Sequence, residues 1–278
     1  MKKKILAFTA GRSDYDLMSY LYRYLNNDHD IDFRLLVSGS HLSSAYGMTV
    51  RFIEKDGFPI LEKIETLLDS DSDSSRIKSA SILLQNAVQS VERFSPDLIL
   101  YAGDREDVMM AALIGGYFKI PTAHFYAGDH DQDGLIDNPL RHAVSRLSAY
   151  KFVSIPEHRM RLLKLGENSD RIFVTGSCAL DKFVHESRMS QKELSAKLGA
   201  PRFASGSYAL VIFHPLMDRE KESVRELKMI FGALEQAAQT GLVHQGPEEP
   251  LVGSGDAVVH HLQGRVPQEA EKGDSQRR

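Results

Sequence analysis

The 278-residue chain has one cysteine, Cys178, and no tryptophan. A single cysteine excludes an internal disulfide and fits a reducing compartment. No apolar run approaches the roughly 18 residues of a membrane span. The N-terminal run, Ile5 to about Ala10, is too short for the apolar core of a signal peptide and suits a buried first strand. The chain therefore reads as cytoplasmic, with no membrane partner. Its charges nearly balance, 34 Lys and Arg against 38 Asp and Glu, for a formal net charge of −4. Nothing thus draws it as a whole to nucleic acid. The GxGxxG fingerprint is missing, which argues against a standard nicotinamide site. Aromatics run out as well. All 13 Phe and 10 Tyr lie at or before Phe231, and the last isoleucine is Ile230. Residues 241–278 are dominated by Gly, Pro, Gln and charge, and only DAVVHHL could form an element. Such a segment buries too little to offset its ordering entropy and is expected to be disordered.

What is present is a soluble globular composition, 42% hydrophobic and 26% charged, in a length that allows one large domain or two. Apolar runs alternate with helical periodicity. Strands are expected at 4–10, 32–39, 58–64, 97–103, 121–128, 151–155 and 171–176. Helices are expected at 16–25, 49–56, 76–94, 108–118, 138–148 and 158–165. That alternation implies parallel βαβ units, an α/β fold with a doubly wound sheet. From about Gly176 the pattern changes. A helical stretch over 181–198, a strand over 207–213 and a helix over 218–239 read as an incomplete second Rossmann-like domain. The expected division is 1–176, 177–240 and a tail of 241–278.

Candidate chemistry gathers in loops that follow strands, where an open α/β sheet places its ligand. In TAGRSDYD (9–16), Arg12 and Ser13 sit at a helix N-terminus, suited to an anion; the plain alternative is a capping loop with Ser13 or Asp14 as the cap. SGSHLSSAYGMT (38–49) offers His41, either a ligand contact or an ordinary loop histidine. In GDRED (103–107), Asp104 follows a glycine that lets the backbone approach a ligand closely, and Arg105 could pair with these acids or with a phosphate. Glu106 and Asp107 read as first-turn helix acids. In HFYAGDHDQDGLIDNPLRHA (124–143), Asp129, Asp131, Asp133 and Asp137 crowd together ahead of Arg141 and His142. Their spacing is not read as an EF-hand loop, and no metal is expected. His214, before Pro215, closes the 207–213 strand.

Taken in order, these segments resemble the UDP-N-acetylglucosamine 2-epimerases, more closely their hydrolysing branch, which feeds sialic-acid-type sugar synthesis. TAGRSDYD resembles the family's T-G-[ST]-R-x-[ED]-Y, and SGSHLSSAYGMT its T-G-x-H-x-x-x-x-Y-G-x-T. GDRED resembles G-D-R-x-E, and GLIDNPLRHAVSRLS the stretch that ends R-H-A-x-x-[KR]-[LM]-S. VTGSCALD resembles the hinge, and VIFHP the strand with His-Pro. The resemblance implies two Rossmann-like domains in a GT-B-like arrangement, with a UDP-linked amino sugar between them. It implies proton removal at C2 with loss of UDP, then hydration of the resulting glycal, giving N-acetylmannosamine without metal or other cofactor. It implies Asp104, Asp129 and Asp137 as acid/base carboxylates, with His214 at the reacting groups. Arg12, Ser13, His41, Arg105, Arg141 and His142 are implied as substrate contacts, and a homo-oligomer is compatible with it. HFYAGD departs from the commoner H-x-H-G-G-E, since Asp129 is one methylene shorter than Glu, which leaves the sugar open. The family's later βα units are not recognisable after Gln239. The expectation is a truncated or frame-shifted chain with little steady-state UDP release. A glycosyltransferase of the same architecture, or a non-catalytic fragment that binds a partner subunit, is the competing reading.

Overall fold

A computed structural model describes residues 2–68, 70, 72–131, 135–198, 207–208, 211–213, 220–239, 244–245, 251–252, 258–259 and 262–264. The chain separates into two compact units, residues 1–186 and 187–278.

The first unit follows the apolar runs closely. In chain order it contains β1 (Lys3–Thr9), α1 (Arg12–Asn27), β2 (Ile31–Ser38), α2 (Val50–Lys55), β3 (Ile60–Ile64) and α3 (Asp73–Phe94). Next come β4 (Leu98–Ala102), α4 (Glu106–Phe118), β5 (Thr122–Phe125), α5 (Asp137–Leu147), β6 (Tyr150–Val153), α6 (Pro156–Lys164), β7 (Ile172–Val174) and α7 (Asp181–His185). The seven strands form one sheet in the order β3-β2-β1-β4-β5-β6-β7, and every pairing is parallel. Winding runs outward in both directions from β1 and β4, so their carboxyl ends bracket the switch point where such sheets bind ligands.

Both faces are covered, as an apolar parallel sheet requires. On one face Leu6, Leu36, Ile99 and Tyr101 pack with Leu83, Ala87 and Val91 of α3 and with Val108, Ala111 and Ala112 of α4. On the other, Ala7, Leu35 and Val37 meet Tyr15, Met18 and Tyr22 of α1, with Ile53 of α2 and Phe58. Ser72 caps α3, its hydroxyl accepting from the Ser75 N–H, a bond that satisfies one of the helix's orphan donors. Residues 177–186 pack back onto α1: His185 stacks on Tyr20 at 5.5 Å between centroids, and Lys182 lies 3.8 Å from Asp16. That packing carries the first unit past Gly176 to Glu186.

The helix expected over 181–198 is two helices, α7 at the end of the first unit and α8 (Gln191–Lys197) in the second. The break has a local cause. Ser190 caps α8 by accepting from the Glu193 N–H, while Glu193 accepts in return from the Ser190 N–H. This reciprocal box starts a new helix rather than continuing the old one. The strand expected over 207–213 is found only at β8 (Ser207–Tyr208), and residues 211–213 are not strand. The remaining elements are α9 (Glu220–Gln239), β9 (His244–Gln245), β10 (Leu251–Val252), β11 (Val258–Val259) and β12 (Leu262–Gly264). β12 pairs antiparallel with both β8 and β9, and β10 with β11. Most of the tail expected to be disordered lies outside the described residues. No helix among the described residues is long and apolar enough to cross a membrane.

Candidate functional site

A cavity of about 280 Å³ opens at the carboxyl ends of β1, β4 and β5. The β1–α1 loop and first turn of α1 contribute Ala10, Gly11, Ser13 and Asp14, the β4–α4 loop and first turn of α4 contribute Gly103, Asp104, Arg105 and Asp107, and the turn after β5 contributes Tyr126 and Asp129. Arg141 enters from α5. Five sequence-predicted residues therefore meet here: Ser13, Asp104, Arg105, Asp129 and Arg141.

Arg141 organises the cluster. Its side chain is only 11% exposed, and its Nη2 pairs with Asp104 Oδ2. Its Nη1 donates to the Tyr126 carbonyl at 3.1 Å and lies 3.7 Å from Asp129 Oδ2. One guanidinium thus spans two carboxylates from different strands, a fork suited to planar anion geometry. Partial burial raises the Asp104 pKa above the usual carboxylate value, opposed by Arg141 and reinforced by the charge of Asp137. A carboxyl group held ready to accept and release a proton is what acid/base work requires.

The loop backbones are held from beneath. Gly103 has φ +98, a conformation that a side chain would strain. Its carbonyl accepts from Nε2 of the fully buried His124 at 2.7 Å. Burial lowers the His124 pKa to about 3, so the ring is neutral and carries its single proton on Nε2. Ser145 Oγ lies 3.0 Å from Nδ1 and 2.9 Å from the Arg141 carbonyl, so its one hydroxyl proton is shared between these two acceptors. His124 fixes the Asp104 loop without touching the cavity. Tyr126, another left-handed residue at φ +60, is anchored by its hydroxyl to Ser177 and to the Ala179 N–H, both at 3.2 Å.

Asp14 changes the expected anion site. Its carboxylate accepts from the Ala10 and Gly11 N–H groups at 2.9 Å each, so two amides at the start of α1 already face a carboxylate. Gly11, rather than Ser13 or Asp14, is the N-cap residue, with Asp14 reaching back to it from the third helical position. A second acid, Asp107, has its pKa raised to about 7, first by burial and then by the charge of Asp14. Neither acid stood out as more than a helix-end residue, because their proximity joins two loops far apart in sequence.

Other predicted residues lie elsewhere. His41 lies apart from the cavity: it is fully buried, with Nε2 3.0 Å from Thr9 Oγ1 and Nδ1 2.8 Å from Thr49 Oγ1. Arg12 also stands outside the cavity, 69% exposed and 3.4 Å from Asp16, one helical turn on. Asp137 is the first residue of α5 and lies 3.6 Å from Arg76, which also pairs with Glu106 at 2.8 Å. It acts on the cavity through its charge on Asp104. His142 stacks on His130 with ring centroids 5.9 Å apart and does not line the cavity. His214 lies outside the described residues. Among the described residues one group, Asp28, His29 and Asp30, brings metal-type ligand atoms together. It is exposed in the α1–β2 turn, at the opposite end of the strands from the cavity.

A family model described as UDP-N-acetylglucosamine 2-epimerase matches residues 23–258. The chain is 32% identical over 238 residues to a UDP-N,N'-diacetylbacillosamine 2-epimerase (hydrolyzing) of Legionella pneumophila, covering 86% of this chain and 61% of that protein. It is 31% identical over 242 residues to a GDP/UDP-N,N'-diacetylbacillosamine 2-epimerase (hydrolyzing) of Campylobacter jejuni, covering 87% of this chain and 62% of the other. The chain thus spans about three-fifths of the length of these curated relatives. In structure it is similar to the UDP-GlcNAc 2-epimerase of Methanocaldococcus jannaschii solved with UDP-GlcNAc and UDP, with a TM-score of 0.63 and 20% identity. That match covers 86% of this chain and 63% of that one, and it shows a shared fold.

Proposed function

We propose a hydrolysing 2-epimerase: the chain belongs to the UDP-N-acetylglucosamine 2-epimerase family, and the chemistry of its cavity fits release of UDP with inversion at C2 of a 2-acetamido sugar. The observation that carries this is the Asp104–Arg141–Asp129 bridge at the sheet's switch point. Two carboxylates on opposite sides of one guanidinium provide a base and an acid, and the arginine offers charge to a departing diphosphate.

The reaction has two balanced halves. A carboxylate takes the C2 proton, a C1–C2 double bond forms, and the C1–oxygen bond breaks, so that its electron pair leaves with UDP. An acid then returns a proton to C2 from the other face, and water adds at C1, its hydroxide bonding to C1 and its remaining proton passing to the carboxylate that gave up its own. The sum is nucleotide sugar plus water giving the 2-epimeric free sugar plus UDP. Asp104 and Asp129 are the acid/base pair, Asp137 tunes Asp104 through its charge, and Ser13 and Arg105 contact the diphosphate. His214 remains assigned to the reacting groups.

The substrate is a UDP-linked 2-acetamido sugar, with UDP-N-acetylglucosamine and UDP-N,N'-diacetylbacillosamine as the two arms of the test. Using protein in molar excess keeps weak nucleotide binding from masking the chemistry. UDP release is followed by a coupled assay, and the free sugar is identified by proton NMR. We expect UDP together with the manno-configured sugar, N-acetylmannosamine in the first arm. Release of an unepimerised sugar, or no UDP from either substrate, would refute the reading.

A further inference from the structure

We infer that His158 on α6 is a positioning residue for Asp129, holding that carboxylate toward the cavity through a neutral Nε2–H donor; this rests on the acid/base role proposed above for Asp129. None of the sequence motifs includes α6. Three contacts nevertheless press it against the turn that carries Asp129. His158 Nε2 lies 3.2 Å from Asp129 Oδ1. The Arg161 guanidinium donates to the Gly128 carbonyl. Gly128 itself has φ +70, and a Cβ there would stand 2.6 Å from the His158 carbonyl oxygen and 2.8 Å from Leu162 Cγ. The helix backbone passes so close that only glycine fits.

The two oxygens of Asp129 then have different tasks. Oδ1 accepts from the His130 N–H at 2.8 Å and lies 3.2 Å from His158 Nε2, while Oδ2 faces Arg141 at 3.7 Å. Asp129 stands where the resemblance places a glutamate, so its shorter side chain gives the carboxylate less reach. A donor behind Oδ1 fixes the orientation that a misplaced carboxylate would lose, and misplacement by about 1 Å can cost a hundredfold in rate.

The state of the ring follows from its surroundings. His158 is 9% exposed, and its Nδ1 is buried with no hydrogen-bond partner among the described residues. A proton on Nδ1 would be a buried, unsatisfied donor, so the single proton belongs on Nε2. The charged groups around it are Asp129 from the β5 turn, Arg141 from α5, and Arg161 and Glu157 from α6. Burial lowers the His158 pKa, the two arginines lower it further, and the two acids partly offset them. The imidazole is therefore neutral at pH 7 and serves as a fixed dipole rather than a proton carrier.

Two measurements test this. Long-range ¹⁵N–¹H NMR on the intact protein at pH 8, with His158 assigned through His158→Gln, reads the tautomer. We expect the Nε2–H form in the wild type, with the Nε2–H proton resonance moving upfield in Asp129→Ala as its acceptor is lost. An Nδ1–H ring, or an Nε2–H resonance unchanged by Asp129→Ala, overturns the inference. The second measurement is the single-turnover rate with protein in excess. His158→Leu should lower the rate about ten- to hundredfold with half-saturation within about threefold of wild type. His158→Gln, which keeps an N–H donor, should stay within about threefold of the wild-type rate. Equal rates for wild type and His158→Leu, or equal losses in both variants, overturn it. If the wild type releases no UDP, the proposed reaction fails while the tautomer still decides the His158–Asp129 pairing.

Discussion

At the residue scale, the cavity is built from groups whose ordinary ionisation is disturbed by burial among like charges. Asp107 shows this most directly. Its carboxyl is raised to about 7 by burial and by the neighbouring Asp14. A carboxyl whose folded pKa exceeds its unfolded value binds its proton more tightly in the native state. Its contribution to stability is therefore fully present below about pH 4 and is lost as pH rises through about 7. Asp107→Asn should remove that loss. Urea unfolding at pH 8 should find the variant more stable than wild type by roughly 1–3 kcal/mol, since a tenfold change in proton affinity corresponds to about 1.4 kcal/mol. At pH 4 the two proteins should differ little. A gain of the same size at both pH values would show that Asp107 does not hold a raised pKa. Sequence alone marked Asp104, Asp129 and Arg141, because each follows or faces a strand end. It did not mark Asp14, Asp107, His124 or His158, whose roles depend on partners brought close only by folding. His41 shows the converse. A histidine in a glycine- and serine-bearing loop reads as exposed, yet Thr9 and Thr49 satisfy it inside the core.

At the element scale, the parallel sheet is legible because its strands are short apolar runs and the helices between them keep their periodicity. Boundaries shifted by a few residues where loops set them: α1 begins at Arg12 and α4 at Glu106, earlier than apolar periodicity suggests, because polar first turns are helical too. The break between α7 and α8 was written in the sequence as Ser190 and Glu193, a start signal inside a charged stretch that otherwise reads as one helix. Close approach between elements is less visible. Gly115 of α4 is the clearest instance, for a Cβ there would lie 2.3 Å from Thr122 Cγ2 of β5. Gly115→Ala should thus lose stability despite alanine's better helix propensity, by about 1–3 kcal/mol from overpacking. Gly116→Ala, next in the helix, meets no neighbour within 4 Å and should be neutral or slightly stabilising. Thermal unfolding of the pair checks this, and equal behaviour of the two variants would show that α4 and β5 are not in close contact.

At the scale of the whole molecule, one unit carries a sheet, a switch point and a cavity where β1, β4 and β5 deliver their loops. The doubly wound topology explains why residues from 10 to 141 converge there. No local pattern contains that convergence, although the ordered series of motifs implied it. The second unit was harder to read. A strongly apolar run such as 207–213 suggests a strand along its whole length, whereas its described residues form a strand only at Ser207–Tyr208. The proposed chemistry stands or falls on the C2 proton. With the protein in excess over UDP-N-acetylglucosamine in D₂O, proton NMR of the released sugar reads whether C2 has exchanged. Acid/base chemistry at Asp104 predicts a 2-epimeric product bearing deuterium at C2, formed at least about a hundredfold more slowly by Asp104→Asn. A product that keeps its original hydrogen at C2, or an Asp104→Asn variant as fast as wild type, would contradict it.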